Sequence, residues 1–302
     1  KRTYRAGWMM NHLPESILRV NYVLGEELTQ ELDYGPIARR LRRAQLESLK
    51  NADLNIAISS FTAETLMQLT DLPADAIQHI PCFIDTDRFQ PTADREDLRK
   101  TLDWENRTVL LTIARLVPRK GVYQVLRALA RIGGHLLEDW LYVIAGRGPE
   151  LDSLKHLTYE LGLSDRVRFL GFLPDERIPK LYGAADLFVQ TNRAVQGDTE
   201  GFGIVYLEAN ACGLPVIGGI AGGTADAIAD GISGLRVDGD NIEEIQEALM
   251  ELTNDHEKRK ALGRAGRQRA VSDFGIESVT RRIESALLEA LKQKRRRMGP
   301  QE

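Results

Sequence analysis

Two carboxylates eight positions apart carry the densest chemistry in this 302-residue chain, Glu200 and Glu208 of Glu200-Gly201-Phe202-Gly203-Ile204-Val205-Tyr206-Leu207-Glu208. A helix opening near Gly203 would present N–H groups that lack an intrahelical partner and carry partial positive charge, which suits a diphosphate. Gly201 and Gly203 allow close backbone approach. Glu200 would then sit on the loop and Glu208 about 8 Å further along, at about 1.5 Å per residue, so a ligand with hydroxyls at both ends would span the pair. The same spacing also fits a buried helix with a glutamate at each end. The flanking text favours the site, because an apolar strand at Asp186–Gln190 precedes it. Gly213, a helix C-cap candidate, and the apolar run from Pro215 follow. Strand, loop, helix, strand is a βαβ unit, and such sheets bind ligands beyond the carboxyl ends of their strands.

A second cluster lies in Ile113-Ala114-Arg115-Leu116-Val117-Pro118-Arg119-Lys120-Gly121. Arg115 offers a planar fork for phosphate oxygens and Lys120 a compact charge. A solvated basic turn is the ordinary reading of such a pair; its place after a strand points to anion binding. Gly146-Arg147-Gly148-Pro149 lacks the third glycine of a dinucleotide fingerprint, and no GxxxxGK[ST] occurs, so neither NAD binding nor a Walker-type nucleotidase is expected. Asp85-Thr86-Asp87 fits a D-x-D metal signature but reads as capping and turn chemistry, and Asp238-Gly239-Asp240-Asn241 as a turn before a helix.

The elements that must position these groups alternate. Strands are expected at Val109–Ala114, Leu141–Ala145, Val167–Leu170, Leu187–Gln190 and Pro215–Gly218, with helices near 121–133, 149–161, 176–184 and 203–212, the pattern of a parallel sheet covered on both faces, and the chain after Gly234-Leu235-Arg236-Val237 reads as helical. Upstream, 16–53 reads as helical throughout, followed by strands at Asn55–Ile58 and Ala76–Ile80 around a helix from Phe61 to Leu69. The polar interval Pro91–Asp97 suggests a boundary. The expected domains are 1–93, the remainder of a Rossmann-like domain whose first strands are missing; 94–274, a complete one; and 275–302, a returning helix with a basic tail. The fold class is α/β.

Composition narrows the function. The formal net charge of −4 gives no electrostatic case for nucleic acid, and with 43% hydrophobic residues the chain is long enough for two cores. No apolar run approaches the ~20 residues of a membrane span. Cys82 and Cys212 form no CxxC pair, so a disulfide framework or structural zinc is not expected and a reducing cytoplasm is the simplest setting.

Taken in order, these segments resemble the family 4 retaining glycosyltransferases of the GT-B fold, from about Asp53 to Phe274. Ile80-Pro81-Cys82-Phe83-Ile84-Asp85-Thr86-Asp87-Arg88-Phe89 is similar to the interdomain I-P-N-G-V-D-x-x-x-F, and Ala114-Arg115-Leu116 through Lys120-Gly121 to G-R-L-x-x-x-K-G. Val143–Pro149, Val167–Gly171, the E-x7-E helix and Gly222-Gly223 follow in the family's order. Asn192–Thr199 resembles the loop of mannosyltransferases acting on phosphatidylinositol mannosides. The sequence departs at Cys82-Phe83, where Asn-Gly is usual, and at Thr224-Ala225-Asp226 after the paired glycines.

The resemblance implies transfer of a sugar from a nucleoside diphosphate sugar to a hydroxyl acceptor, a glycan or a lipid-linked one, with retained anomeric configuration and no metal or other cofactor. Arg115 and Lys120 would clamp the donor diphosphate with the amides of Phe202, Gly203 and Ile204, Glu200 would bind the transferred sugar and Glu208 the ribose. His12 and Arg193 are acceptor-side candidates. Two basic clusters, Arg39, Arg40, Arg42 and Arg43, and Lys292 with Lys294–Arg297, raise an anionic membrane surface as a further partner, which would make the protein cytoplasmic and peripheral at the inner face. The rival readings are a nucleotide-sugar epimerase of the same fold and a non-catalytic sugar-nucleotide-binding fragment.

Overall fold

The computed structural model describes residues 13–14, 16–25, 28, 35–133 and 139–298, which divide into two compact units, 1–82 with 277–302, and 83–276.

The larger unit is a six-stranded, all-parallel sheet. Its strands are β4 (Thr108–Ile113), β5 (Trp140–Ala145), β6 (Val167–Gly171), β7 (Leu187–Gln190), β8 (Val216–Gly219) and β9 (Gly234–Val237), in the spatial order β6-β5-β4-β7-β8-β9. Every residue of β4, β5, β7 and β8 is buried, which is why these strands read as near-continuous apolar runs. Helices α3 (Arg95–Leu102), α4 (Val122–Ile132), α5 (Leu151–Glu160), α6 (Ile178–Ala184), α7 (Ile204–Ala211), α8 (Thr224–Ala227), α9 (Ile242–Asn254) and α10 (His256–Phe274) connect and cover them. Val125, Leu126 and Leu129 of α4 and Leu249 and Leu252 of α9 join Leu110 and Tyr142 in the main core, each fully buried aliphatic side chain contributing about 1.5–3 kcal/mol. The chain builds β4 to β6 outward on one side, then returns to build β7 to β9 on the other. The reversal falls between the neighbouring strands β4 and β7, where open α/β sheets form their ligand crevice.

The smaller unit holds a three-stranded parallel sheet, β1 (Val20–Val23), β2 (Leu54–Ala57) and β3 (Ile77–His79), with helices α1 (Gly35–Lys50) and α2 (Ser60–Thr70) and the end helix α11 (Ile276–Met298). Ser59 caps α2 by accepting from the Thr62 amide. Lys294 of α11 reaches Asp53 at 2.7 Å with both side chains largely buried, so this lysine is an internal tie and not part of a free basic tail.

One expectation is corrected. The 16–53 stretch is not wholly helical: Val20-Asn21-Tyr22-Val23 pairs in register with β2, and Asn21 is tied to Asn55 by a 3.1 Å side-chain bond. Within the polar interval Asp94 precedes α3, whose Arg99 donates to Asp186 at 2.9 Å and to the Ala184 carbonyl at 2.7 Å.

Candidate functional site

Three loops meet at the carboxyl ends of β4, β7 and β8. After β4 the chain runs through Arg115 into a 3-10 turn at Pro118–Lys120, and Gly121 (φ 72°) links that turn to α4. After β7 it runs through Thr191 and Asn192 to Glu200; after β8 it reaches Gly222-Gly223. The loops touch backbone to backbone. A Cβ on Gly121 would lie 2.1 Å from the Thr191 carbonyl oxygen, and one on Gly219 would lie 1.8 Å from that of Asn192, so neither position admits a side chain. The Gly223 amide donates to the Glu200 carbonyl at 2.8 Å, tying the third loop to the second.

Glu200 is the hub. Its Oε2 accepts from Lys120 Nζ, from Arg119 Nη1 at 2.9 Å and from Asn192 Nδ2 at 3.0 Å. Arg119 Nε lies 3.2 Å from Asp198 Oδ2, and this guanidinium is only 5% exposed. Burial alone would raise the Glu200 pKa, but Lys120 and Arg119 outweigh it and hold the carboxyl below its usual range. Several polar atoms around the hub, Asn192 Oδ1, Asp198 Oδ1 and Thr199 Oγ1, are buried with no partner among the described residues, the kind of debt a polar ligand or water settles.

Helix α7 starts immediately beyond. Gly203, at φ 90°, is its N-cap and supplies no side-chain bond. The amides of Phe202, Gly203 and Ile204 donate to no group among the described residues, which leaves the positive end of the helix open. Further along α7, Glu208 accepts from Tyr182 Oη at 2.9 Å. Burial raises its pKa more than the tyrosine bond and Arg88 lower it. Glu208 also helps push the neighbouring Cys212 thiol up to about 12, where burial is the main cause.

Lys120, Glu200, Gly201, Phe202, Gly203 and Ile204 are thus drawn onto one edge of the sheet, with Glu208 on the helix behind. Arg115 stands two residues past β4 on the same edge, exposed, and makes no side-chain bond among the described residues. Arg193 is turned to Asp240 at 2.7 Å, while its amide donates to the Arg119 carbonyl. His12 lies outside the described residues. Asp85 Oδ1 accepts from the amides of Asp87 and Arg88, which is turn chemistry; among the described residues no three His, Cys, Asp or Glu side chains gather as a metal site. Gly146 and Gly148 pack their loop against the Ala114 and Leu116 carbonyls, a structural use. Sequence reasoning missed Arg119 and Tyr182. The first had a signal, the pairing of Arg119-Lys120 with the two acids Asp198 and Glu200; the second had none.

The sequence profile of glycosyl transferases group 1 matches residues 94–269. The chain belongs to that family. Among curated relatives, it is 35% identical over 243 residues to a GDP-mannose-dependent alpha-(1-6)-phosphatidylinositol monomannoside mannosyltransferase of Mycolicibacterium smegmatis, covering 79% of this chain and 62% of that protein. A D-inositol 3-phosphate glycosyltransferase of Corynebacterium jeikeium is 38% identical over 76% of this chain and 55% of its own. The chain therefore spans roughly 60% of the length of such relatives. Among solved structures of GT-B glycosyltransferases, Anabaena HepE in complex with UDP and glucose superposes with a TM-score of 0.75 at 25% identity, over 89% of this chain and 71% of that one. The sucrose-phosphate synthase of Thermosynechococcus elongatus superposes with a TM-score of 0.79 at 23% identity, over 96% of this chain and 72% of that one, which shares the fold. As in other group 1 glycosyl transferases, the Rossmann-like α/β architecture supplies the sheet edge on which Glu200 and its partners sit.

Proposed function

We propose that this chain transfers mannose from GDP-mannose to a hydroxyl of a lipid-linked acceptor of the phosphatidylinositol mannoside class, with retention of anomeric configuration. The observation that carries the reading is the convergence of Lys120, Arg119 and Asn192 on Glu200 beside the uncapped amides of α7. Similarity to the mycobacterial-type mannosyltransferases supports the donor and the acceptor class, and favours transfer over epimerisation or mere binding.

The proposed division of labour follows from charge. Breaking a glycosyl–phosphate bond develops positive charge on the sugar and negative charge on the departing diphosphate. Fixed donors aimed at the diphosphate stabilise the transition state without reorganising. Arg115, with no competing side-chain partner, and Lys120, shared with Glu200, supply the cations; Phe202, Gly203 and Ile204 supply amides. Glu200, kept ionised by its partners, accepts from hydroxyls of the transferred sugar through its less engaged oxygen, and Glu208 accepts from the ribose. The leaving diphosphate takes the acceptor's proton on the same face, so that no metal or other cofactor is called on. Residues 94–274 form the donor domain in this reading, with 1–93 and the 275–302 helix on the acceptor side. Arg193 is an acceptor-side group, as His12 would be, and the protein works in the cytoplasm. No described helix is long and apolar enough to cross a membrane, so contact with a lipid acceptor would be peripheral.

A thermal-shift and titration panel of GDP-mannose, UDP-glucose and ADP-glucose tests the donor, followed by product analysis with a phosphatidylinositol mannoside acceptor and assignment of the new anomeric centre by NMR. Selective stabilisation by GDP-mannose and an α-linked product are expected. Binding of none of the three, or an inverted product, would overturn the proposal.

A further inference from the structure

The opposite edge of the larger unit carries a second charged feature that donor binding does not use. A cleft of about 420 Å³ opens at the amino ends of β7 and β8. Its walls are the start of α3, the segments just before β7 and β8, the carboxyl end of α7 and one face of α10. Five Arg or Lys side chains line it and Asp186 is the one carboxylate among the lining residues, in a chain whose formal net charge is −4.

Structural duties account for only part of that charge. Arg267 donates to the Ala211 carbonyl at the end of α7 at 2.8 Å and to the Phe89 carbonyl at 2.9 Å; it answers the roughly half-unit negative charge of a helix carboxyl end. Asp186 is already bridged by Arg95 and by Arg99 at 2.9 Å, two guanidiniums on one carboxylate. Arg259, 6% exposed, donates to the Leu252 and Thr253 carbonyls near the end of α9 at 2.8 and 2.5 Å, which leaves Lys260 and Arg264, one turn apart on α10 and both exposed, with His256 one turn before them. Lys260 has only a loose contact with Glu257 at 3.8 Å, and Arg264 makes no side-chain bond among the described residues. Like charges at this spacing repel along a helix, and a concave wall with a single carboxylate, already bridged, focuses their field.

We propose that this cleft is an anion site that binds a phosphoryl group, through Lys260 and Arg264 with Arg95 and His256 at its margin. A guanidinium fork with a neighbouring ammonium matches the oxygens of a phosphate monoester, and the volume leaves room for a small body attached to it. The site lies at the carboxyl end of α7, whereas the proposed donor diphosphate sits at its amino end, so the two are separate.

The chain is titrated with inorganic phosphate and pyrophosphate by calorimetry and by phosphorus NMR, alongside Lys260→Ala/Arg264→Ala and, separately, Arg115→Ala. Two classes of site are expected in the parent. The double variant should lose one, weakening it by about tenfold for each charge-assisted contact removed, while GDP-mannose stabilises it as before. Arg115→Ala should weaken only the other. Sedimentation with phosphatidylcholine vesicles containing phosphatidic acid separates the sources: capture that depends on Lys260 and Arg264 assigns a lipid headgroup, and saturation by free phosphate without capture assigns a soluble phosphate ester. A single phosphate site abolished by Arg115→Ala, or phosphate and vesicle binding unchanged in the double variant, would overturn the inference. A failure of GDP-mannose binding in every protein would strike the donor reading and leave this one standing.

Discussion

At the loop end of α7, Glu200 meets two cations and an amide; further along the same helix, Glu208 meets a tyrosine hydroxyl. The first carboxyl is held below its usual pKa range because Lys120 and Arg119 overcome the cost of burial. The second is pushed above it because burial wins against one hydrogen bond and a more distant arginine. Two glutamates that look equivalent in sequence therefore have different work. One is a fixed negative charge in a polar network, and the other is a carboxyl whose ionisation burial opposes. The difference arises in the loops: the 3-10 turn after β4 delivers Arg119 and Lys120 to Glu200, while the body of α6 delivers only Tyr182 to Glu208.

The comparison is broken most severely at Glu200. Glu200→Gln keeps the shape but leaves Arg119, 5% exposed, and Lys120 without their shared carboxylate. Losing one partner of a buried charge cluster costs about 3–5 kcal/mol, so denaturant unfolding should show a loss of that size together with a strong fall in turnover. A loss under about 1 kcal/mol would mean that the network behaves like an exposed pair.

Tyr182→Phe probes the other glutamate. Removing a hydrogen bond to a charged group costs about 1.5–3 kcal/mol, and in the proposed donor complex the carboxylate left behind is less well placed for the ribose. The donor KM should rise about tenfold while kcat for bound donor stays within about twofold, since this contact exists before and during chemistry. Equal falls in kcat and kcat/KM would instead put Glu208 at the reacting centre.

A pH series sharpens the contrast further. Glu200, with its folded pKa depressed, contributes stability that is present above the unfolded glutamate value of about 4.3 and is lost as pH falls through the folded value. Glu208, with its folded pKa raised, does the reverse: its ionisation weighs against the fold as pH rises from about 4.3 through the folded value. Urea midpoints should accordingly show Glu200→Gln closing on the parent as pH drops below about 4. Glu208→Gln should gain on the parent as pH rises from there. Parallel curves for the two variants would erase the distinction.

Much of this arrangement is legible in the sequence because four of the six parallel strands of the larger unit, β4, β5, β7 and β8, are buried throughout. Leu187–Gln190 and Pro215–Gly218 are expected as strands, and the first falls where it is expected while the second begins one residue later, at Val216. The α7 segment is equally plain, with a glycine at each end. β1 was not, because Asn21 interrupts its apolar pattern and is accommodated only by Asn55 on the neighbouring strand. Nor do adjacent basic residues announce which one turns inward; Arg119 is buried by contacts 79 and 81 positions away, and those separations come from the topology of the sheet. Lys294 is a sharper instance, since the run of cations around it suggests a tail while its own partner, Asp53, lies 241 positions earlier.

The smallest effect is expected from chelators. Asp85-Thr86-Asp87 has the spacing of a metal-binding pair, but Asp85 Oδ1 is engaged by the amides of Asp87 and Arg88 at 3.1 and 2.9 Å. Recruiting that oxygen to a cation would require breaking the turn. Glu200 meets the same objection from a different direction, since its carboxylate is already neutralised by Lys120 and Arg119 and has little to offer a divalent ion. In the proposed reaction Arg115, Lys120 and the α7 amides answer the charge of the leaving group, so turnover with GDP-mannose should be unchanged when EDTA is added in excess and unchanged again when magnesium or manganese is restored. A loss that returns with one metal would show that a cation outcompetes the turn at Asp85, and would move part of the electrostatic work from the Glu200 end of α7 to a second set of carboxylates.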